Sequence, residues 1–277
     1  MPELPEVETT MRGLDKIMRG TKIAGAKVRR SDLRWPLPKN LAGQLTKRKI
    51  AGFSRRAKYM VIHLDNAQDW IVHLGMSGRM CVVDARQYKN PEKHDHVLLA
   101  LSNKKHIAFN DPRRFGMMDL IPSHQTATYK LFKHLGFEPL SREFTGKALF
   151  QKLMHKKIAI KLAIMDQKLV VGVGNIYASE SLYYANIDPR RKASNLTLAE
   201  CAALVKSIKK VLQKAIKAGG SSLRDYVQSD GTLGNFQSHF AVYDRKGEKC
   251  PKCKTGACIQ KITQGGRATY YCPINQI

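Results

Sequence analysis

The chain is poor in negative charge, with 22 Asp and Glu against 48 Lys and Arg, and its formal net charge is +26. An excess of that size exceeds what solubility needs and points to a polyanionic partner. Charge alone does not choose among DNA, ribosomal RNA and an anionic membrane surface. Long apolar runs are also missing, which excludes a membrane-spanning helix, and the start lacks a basic segment leading into an apolar signal core. A cytoplasmic protein is expected. Cysteine is scarce until late in the chain: Cys81 and Cys201 stand alone in apolar stretches, whereas Cys250, Cys253, Cys258 and Cys272 crowd together. Clustering of this kind in an intracellular chain favours a metal over disulfides. No internal repeat is evident, and 277 residues suffice for two domains with separate cores.

What is present begins at the first residues, Met1-Pro2-Glu3-Leu4-Pro5-Glu6-Val7-Glu8. If Met1 is removed, Pro2 becomes a secondary α-amine, a class of group that titrates near ~8 rather than roughly 10.4 as lysine does. Such an amine is partly unprotonated at neutral pH and can attack an electrophilic carbon to give an iminium. Glu3 beside it could move the protons. The structural alternative is a helix start, with Pro5 near the first helical position and Glu6 and Glu8 complementing the dipole; Glu8 reads as no more than such a charge. Val7, Met11, Leu14 and Met18 recur at helical spacing, and Gly20 offers a stop.

From about 21 to 120 the pattern becomes short β-rich runs at 27–29, 59–64, 70–74, 80–83 and 97–101, broken by turn residues, which predicts an antiparallel sandwich or barrel. Helical patterns follow at 144–155, 158–166 and 175–185. A longer one has a capping box, Thr197-Leu198-Ala199-Glu200, and a Gly219-Gly220 stop. The polar stretch 221–239 is expected to be a long loop, and loops of that length tend to be functional. The tail from Val242 reads as a β-hairpin module. The fold class expected is therefore α+β and multidomain, divided at 1–125, 126–240 and 241–277.

Two glycine-closed turns, His73-Leu74-Gly75-Met76-Ser77-Gly78 and Asp111-Pro112-Arg113-Arg114-Phe115-Gly116, present bulky or cationic side chains from tight loops. Met76 and Phe115 could wedge into a base stack while a guanidinium bonds an orphaned base. Asn175 follows Val171-Gly172-Val173-Gly174 and opens a helix, so with Lys161 it has the makings of a phosphate clamp. Lys58, His94 and Arg114 are further candidates for backbone contacts. Cys250-Pro251-Lys252-Cys253 is half of a zinc site, since thiolates two residues apart can share one tetrahedral ion. The second half, Cys272-Pro273-Ile274-Asn275, is irregular. Asparagine is a poor neutral ligand, so Cys258 moves in, or the site has three cysteines and is weak, or packing alone holds the hairpin.

These stretches, together with Ala57-Lys58-Tyr59, Lys93-His94-Asp95-His96 and 219–230, occur in the order seen in the formamidopyrimidine-DNA glycosylases, which the chain resembles along essentially its whole length. The resemblance implies a bifunctional glycosylase and AP lyase of base excision repair, a monomer in the bacterial cytoplasm and nucleoid acting on damaged double-stranded DNA. It implies an N-terminal helix and β-sandwich, a helix-two-turn-helix domain and a zinc-finger-like hairpin. It casts Pro2 as the nucleophile at C1′ of an oxidised purine nucleotide and Glu3 as the acid that assists sugar-ring opening. Lys58 falls near the lesion phosphates, and Glu6 steadies the site. Met76, Arg113 and Phe115 occupy the space of the flipped nucleotide, and His94, Arg113, Arg114, Lys161, Asn175 and Arg267 contact DNA. The 221–230 loop resembles a lid over the extruded base. One structural zinc is implied at Cys250, Cys253 and Cys272, with Asn275 or Cys258 as fourth ligand. The sister endonuclease VIII group, which removes oxidised pyrimidines, is the nearest rival; Leu4-Pro5-Glu6 and the Arg113/Phe115 pair favour the purine enzymes.

Overall fold

The structure is a computed structural model and describes residues 2–222, 227–253 and 256–277. The chain forms two compact units, residues 1–133 with 218–235, and residues 134–217 with 236–277. This differs from the three consecutive segments expected, because 218–235 returns to the first unit and the cysteine hairpin belongs with the helices of the second.

In the first unit, helix α1 (Leu4–Met18) lies against two four-stranded antiparallel sheets. One has the order β1 (Ile23–Val28), β6 (Asp95–Leu101), β7 (His106–Asn110), β5 (Arg79–Val83). The other runs β2 (Ile50–Arg56), β3 (Tyr59–Leu64), β4 (Gln68–His73), β8 (Met117–Pro122). Two five-residue helices, α2 (Leu41–Leu45) and α3 (Ala85–Lys89), fill out the connections. The core is continuous across both sheets and α1: Val7, Leu14 and Met18 meet Ile62, Trp70 and Val72 from one sheet and Val97, Leu99 and Phe109 from the other. The sandwich is the expected one. Strands β2, β7 and β8 were not among the expected runs, since Ile50-Ala51-Gly52-Phe53-Ser54 and His106-Ile107-Ala108-Phe109-Asn110 mix polar, small and apolar residues without a clean alternation. Their pairing comes from neighbours, β2 with β3 and β7 with both β5 and β6.

The second unit contains α4 (Gly146–Leu153), α5 (Ile160–Met165), α6 (Asn175–Tyr184) and α7 (Leu198–Lys217), followed by the antiparallel hairpin β9 (Gln260–Gln264) and β10 (Arg267–Tyr271). The expected capping box starts α7: the Thr197 amide donates to the Glu200 carboxylate at 2.7 Å, and the Glu200 amide to Thr197 Oγ1 at 3.2 Å. Amphipathic α7 turns Leu204, Ile208 and Leu212 inward. Helix α6 is buried on most sides and carries Glu180, a fully buried carboxylate. Glu180 accepts from three consecutive amides, Ala241 at 2.9 Å, Val242 at 3.0 Å and Tyr243 at 2.8 Å, and so fixes the chain that enters the cysteine module. Burial pushes its carboxyl upward, and the three amides oppose that shift. Among the described residues no helix is long and apolar enough to cross a membrane.

Glu180→Ala would leave three buried donors without an acceptor and is expected to cost about 3 kcal/mol. Denaturant midpoints of wild type and variant measure this, with Glu180→Gln, which keeps one acceptor oxygen, in between.

Candidate active site

Pro2 and Glu3 are buried at the N-terminus of α1. The helix begins with a reciprocal capping box: the Glu3 carboxylate accepts from the Glu6 amide, and the Glu3 amide donates to Glu6 Oε2 at 2.9 Å. The other Glu6 oxygen accepts from the Ser221 amide at 2.8 Å and the Ser221 hydroxyl at 3.2 Å. Glu6 thus ties the start of the chain to the beginning of the 221–230 segment. That segment is further held where it is described: Ser229 O accepts from the Val82 amide at 2.7 Å, and a Cβ on Gly13 of α1 would lie 1.9 Å from Ser229 Oγ. Residues 223–226, on which the lid expectation falls, lie outside the described residues, as does Met1.

Lys58 is buried in the two-residue turn joining β2 and β3, where Ala57 takes φ +53°. A buried side chain in the left-handed region needs its turn held from outside. The brace is Glu8. It pairs with Arg12 and with Arg55, each at 2.7 Å, and Arg55 Nη1 donates to the Ala57 carbonyl at 2.8 Å. Glu8 is therefore more than a helix-start charge, a role its sequence position does not reveal because Arg55 is 47 residues away.

The two glycine-closed turns touch. Gly75, at φ +67°, leaves no room for a side chain, since a Cβ would come within 2.3 Å of the Phe115 carbonyl carbon. Asp111 joins them: Ser77 Oγ donates to its Oδ1 at 2.8 Å, the Gly116 amide to its Oδ2 at 2.7 Å, and the Arg113 amide to Ser77 Oγ at 3.2 Å. From this base Arg113, Arg114 and Phe115 project outward, with Phe115 43% exposed and the Arg113 guanidinium 4.9 Å from its ring centre. Arg114 is held at φ +57°. Met76 is half-buried on the facing turn, and half-buried His94 contributes its carbonyl to the Asp111 amide at 3.0 Å. Arg34, absent from the sequence expectations, gives its amide to the Gly116 carbonyl at 3.1 Å. His73 joins β4 to the first turn, its Nδ1 accepting from the Gly75 amide at 3.0 Å, which leaves the ring proton on Nε2. Burial, then the charges of Lys58 and Arg34, pull His73 down to about 4, so it is neutral at physiological pH.

Lys161 is fully buried, and its ammonium donates to Asn175 Oδ1 at 2.6 Å, the Ala268 carbonyl at 3.0 Å and Thr269 Oγ1 at 2.7 Å. An ammonium has three donors, and these three acceptors engage them, so Lys161 orients Asn175. Asn175 Nδ2 donates to the same Ala268 carbonyl at 2.9 Å. Next in the chain, Arg267 is exposed at the hairpin tip after Gly265 and Gly266, both at positive φ. The N-terminus of α6 and the hairpin tip are thereby brought together.

Cys250, Cys253 and Cys272 place their sulfurs within 4.8 Å of one another. Neither candidate fourth ligand joins them. Asn275 turns its amide to Asn186 Oδ1 at 3.0 Å, while its backbone N–H points at Cys272 Sγ at 3.3 Å; Cys258 is exposed and directed at the Gly256 carbonyl. Three soft donors suit zinc.

An α-helix whose first residues bury a proline and a carboxylate pair, leading a β-sandwich with paired projecting turns, defines one unit. A helical unit with a cysteine hairpin defines the other. The chain matches the formamidopyrimidine-DNA glycosylase N-terminal domain over residues 1–118 and the formamidopyrimidine-DNA glycosylase H2TH domain over 135–227. It belongs to the formamidopyrimidine-DNA glycosylase family. It is 47% identical to the protein of that name from Paracoccus denitrificans and 46% to that from Gluconobacter oxydans, with all of both chains covered in each case. Among solved structures, a Lactococcus lactis FPG variant in complex with Fapy-dG-containing DNA superposes with a TM-score of 0.90 at 38% identity over 99% of each chain. The Lactococcus lactis Fpg complex with abasic-site DNA gives 0.89 at the same identity and coverage.

Neutral His73 makes a signed prediction. Its depressed value means the unfolded chain takes up the proton first, so its contribution to stability is complete above pH 6.5 and drains away as pH falls toward about 4. His73→Gln, compared with wild type in denaturant melts across this range, should show a shallower loss of stability on acidification.

Proposed function

We propose that this protein is a bifunctional DNA glycosylase and AP lyase that excises oxidised purines, 8-oxoguanine and formamidopyrimidines, from double-stranded DNA through the amine of Pro2. The carrying observation is the buried Pro2 at the head of α1, beside Glu3 and locked by the Glu3–Glu6 capping box. Family membership and the DNA seen with the Lactococcus lactis relatives support the partner.

A damaged base inside a duplex is out of reach, so its nucleotide is extruded at an unstacking cost of a few kcal/mol. Phe115, Arg113 and Met76 occupy the vacated space, Arg113 bonding the estranged cytosine. His94, Arg114, Asn175 and Arg267 hold the backbone, while Lys161 sets Asn175. Once Met1 is gone, the Pro2 nitrogen lone pair attacks C1′ and the bond to the base breaks. The departing base takes up a proton and the attached amine gives one up. The nitrogen lone pair then expels the sugar-ring oxygen, which Glu3 protonates as the ring opens, and the resulting iminium acidifies C2′. Removal of that proton expels the 3′ phosphate, a second elimination expels the 5′ phosphate, and a one-nucleotide gap remains. Lys58, buried near His73, supplies a positive charge for the phosphates beside the lesion.

Borohydride reduction on an 8-oxoguanine:cytosine duplex should trap a covalent adduct that Pro2→Gly or retention of Met1 abolishes. Glu3→Gln should slow base release by ~10²-fold or more. A folded wild-type protein giving no adduct would refute the reading. An oxidised-pyrimidine enzyme is the second reading, since one Lactococcus lactis Fpg complex holds DNA with an oxidised pyrimidine; faster excision of thymine glycol than of 8-oxoguanine would favour it.

Zinc held by Cys250, Cys253 and Cys272 would fix the base of the hairpin that carries Arg267. Purified protein should contain close to one zinc per chain, released by chelators more readily than from a four-thiolate site. Far less zinc with DNA binding intact would exclude the metal.

A further inference from the structure

Beyond the DNA chemistry, the second unit contains a cavity of about 610 Å³ that none of the proposed steps uses. Its wall is α7, with exposed Ala203 at its mouth, and its floor is apolar, formed by Tyr184, Val211 and Phe236. The size is that of a pocket for a side chain or small ligand rather than a packing defect. Four ammonium groups surround it: Lys206, Lys210 and Lys214 from α7, and Lys252 from the loop between Cys250 and Cys253.

Three observations restrict what it can hold. Lys206, Lys210 and Lys214 are exposed, and none forms an ion pair or side-chain hydrogen bond among the described residues. Like charges four apart on a helix repel, so the row destabilises α7 unless an anion covers it. Lys252 is already fixed, donating to Asn186 Oδ1 at 3.1 Å and lying over the rings of Tyr183 and Tyr184 at 4.7 and 5.2 Å, and it closes one side of the cavity.

The second observation is spacing. Successive lysines of the row are separated by ~6 Å along the helix axis. Alternate side chains of an extended peptide recur every ~6.7 Å on one face, so carboxylates at every second residue can each meet a lysine. A residue on that same face at the end of the row can then enter the apolar floor. Third, the cavity lies at the C-terminal end of α6, beside Tyr184, whereas Asn175 and Arg267 belong to its N-terminal end, roughly 14 Å along the axis. A phosphate backbone held at Asn175 does not need this surface. A second copy of this chain, at +26, is the wrong sign.

We propose that this cavity is a docking site for an acidic segment of a partner protein, which lays alternate carboxylates along Lys206, Lys210 and Lys214 and inserts an apolar side chain against Tyr184 and Val211. It is independent of the catalytic reading. The probe is a fluorescein-labelled peptide of aspartates at every second residue, with one phenylalanine continuing the same face at the end of the row, titrated with the full-length protein at about 0.15 M salt to screen weak surface attraction and followed by anisotropy.

Saturable binding is expected, weakened at least ~tenfold by Lys206→Glu with Lys210→Glu, and no more than ~threefold by the charge-matched pair Lys152→Glu with Lys157→Glu on another exposed face of the same unit. Ala203→Trp, which fills the cavity mouth without changing charge, and replacement of the peptide's phenylalanine by alanine should each cost ~tenfold as well. Thermal melts establish that each variant is folded, and the charge pair and the tryptophan test the site independently. No binding, equal weakening by the two charge pairs, or indifference to both the tryptophan and the peptide's phenylalanine overturns the proposal. An oligothymidylate of equal charge that binds as tightly and is lost on the same substitutions also overturns it, in favour of a nucleic-acid site.

Discussion

The Glu6 carboxylate is the interaction on which the rest of the first unit turns. One oxygen holds the Glu3 amide and the other holds Ser221, so a single buried side chain fixes both the first turn of α1 and the start of the segment that returns from the second unit. A chain terminus normally frays. Here residues 3–6 are caged by their own capping box, which supplies the fixed position that the proposed Pro2 nucleophile requires. The cage also explains why 218–235 clusters with α1 and the sandwich despite following α7 in sequence.

A division of labour runs through the charged residues of both units. Those that set geometry are buried and saturated: Glu6 at the helix start, Asp111 beneath the two turns, Lys161 behind Asn175, Glu180 under the 241–243 amides. Of the charged residues proposed to meet DNA, Arg113, Arg114 and Arg267 stand outside, whereas Lys58 is buried. Buried charges are costly unless fully bonded, so Glu6, Asp111, Lys161 and Glu180 are each surrounded by backbone amides, carbonyls or hydroxyls. Among these four and the three arginines, burial goes with positioning and exposure with proposed contact.

That separation also marks where the sequence could be read and where it could not. The α1 stripe, the β3 run at 59–64, the Thr197–Glu200 box and the turn glycines are local signals, and the sandwich and helices follow them closely. Pro2, Glu3 and the cysteines were visible because their chemistry is unusual for their positions. The burial of Lys161 was not legible, because the Thr269 hydroxyl and Ala268 carbonyl that accept from it lie more than a hundred residues later. Glu8, Arg34 and Asp111 were missed as organisers for the same reason. Their partners, Arg55, Gly116 and Ser77 among them, come from other strands and turns, and no periodicity announces them.

The irregular cysteine module follows the same logic. In a zinc finger whose fold depends wholly on metal, replacing the fourth thiolate by asparagine would unravel the hairpin. Here the module has other supports. Glu180 fixes its entry at 241–243, the Ala268 carbonyl receives both Lys161 and Asn175, and a small core of Tyr183, Val242, Ile259 and Tyr270 packs around Cys250 and Cys272. Asn275 is itself engaged with Asn186 rather than left pointing at the sulfurs. Because the hairpin is held from α6 as well as from its cysteines, loss of one metal ligand leaves the contacts to Ala268, beside Arg267, in place.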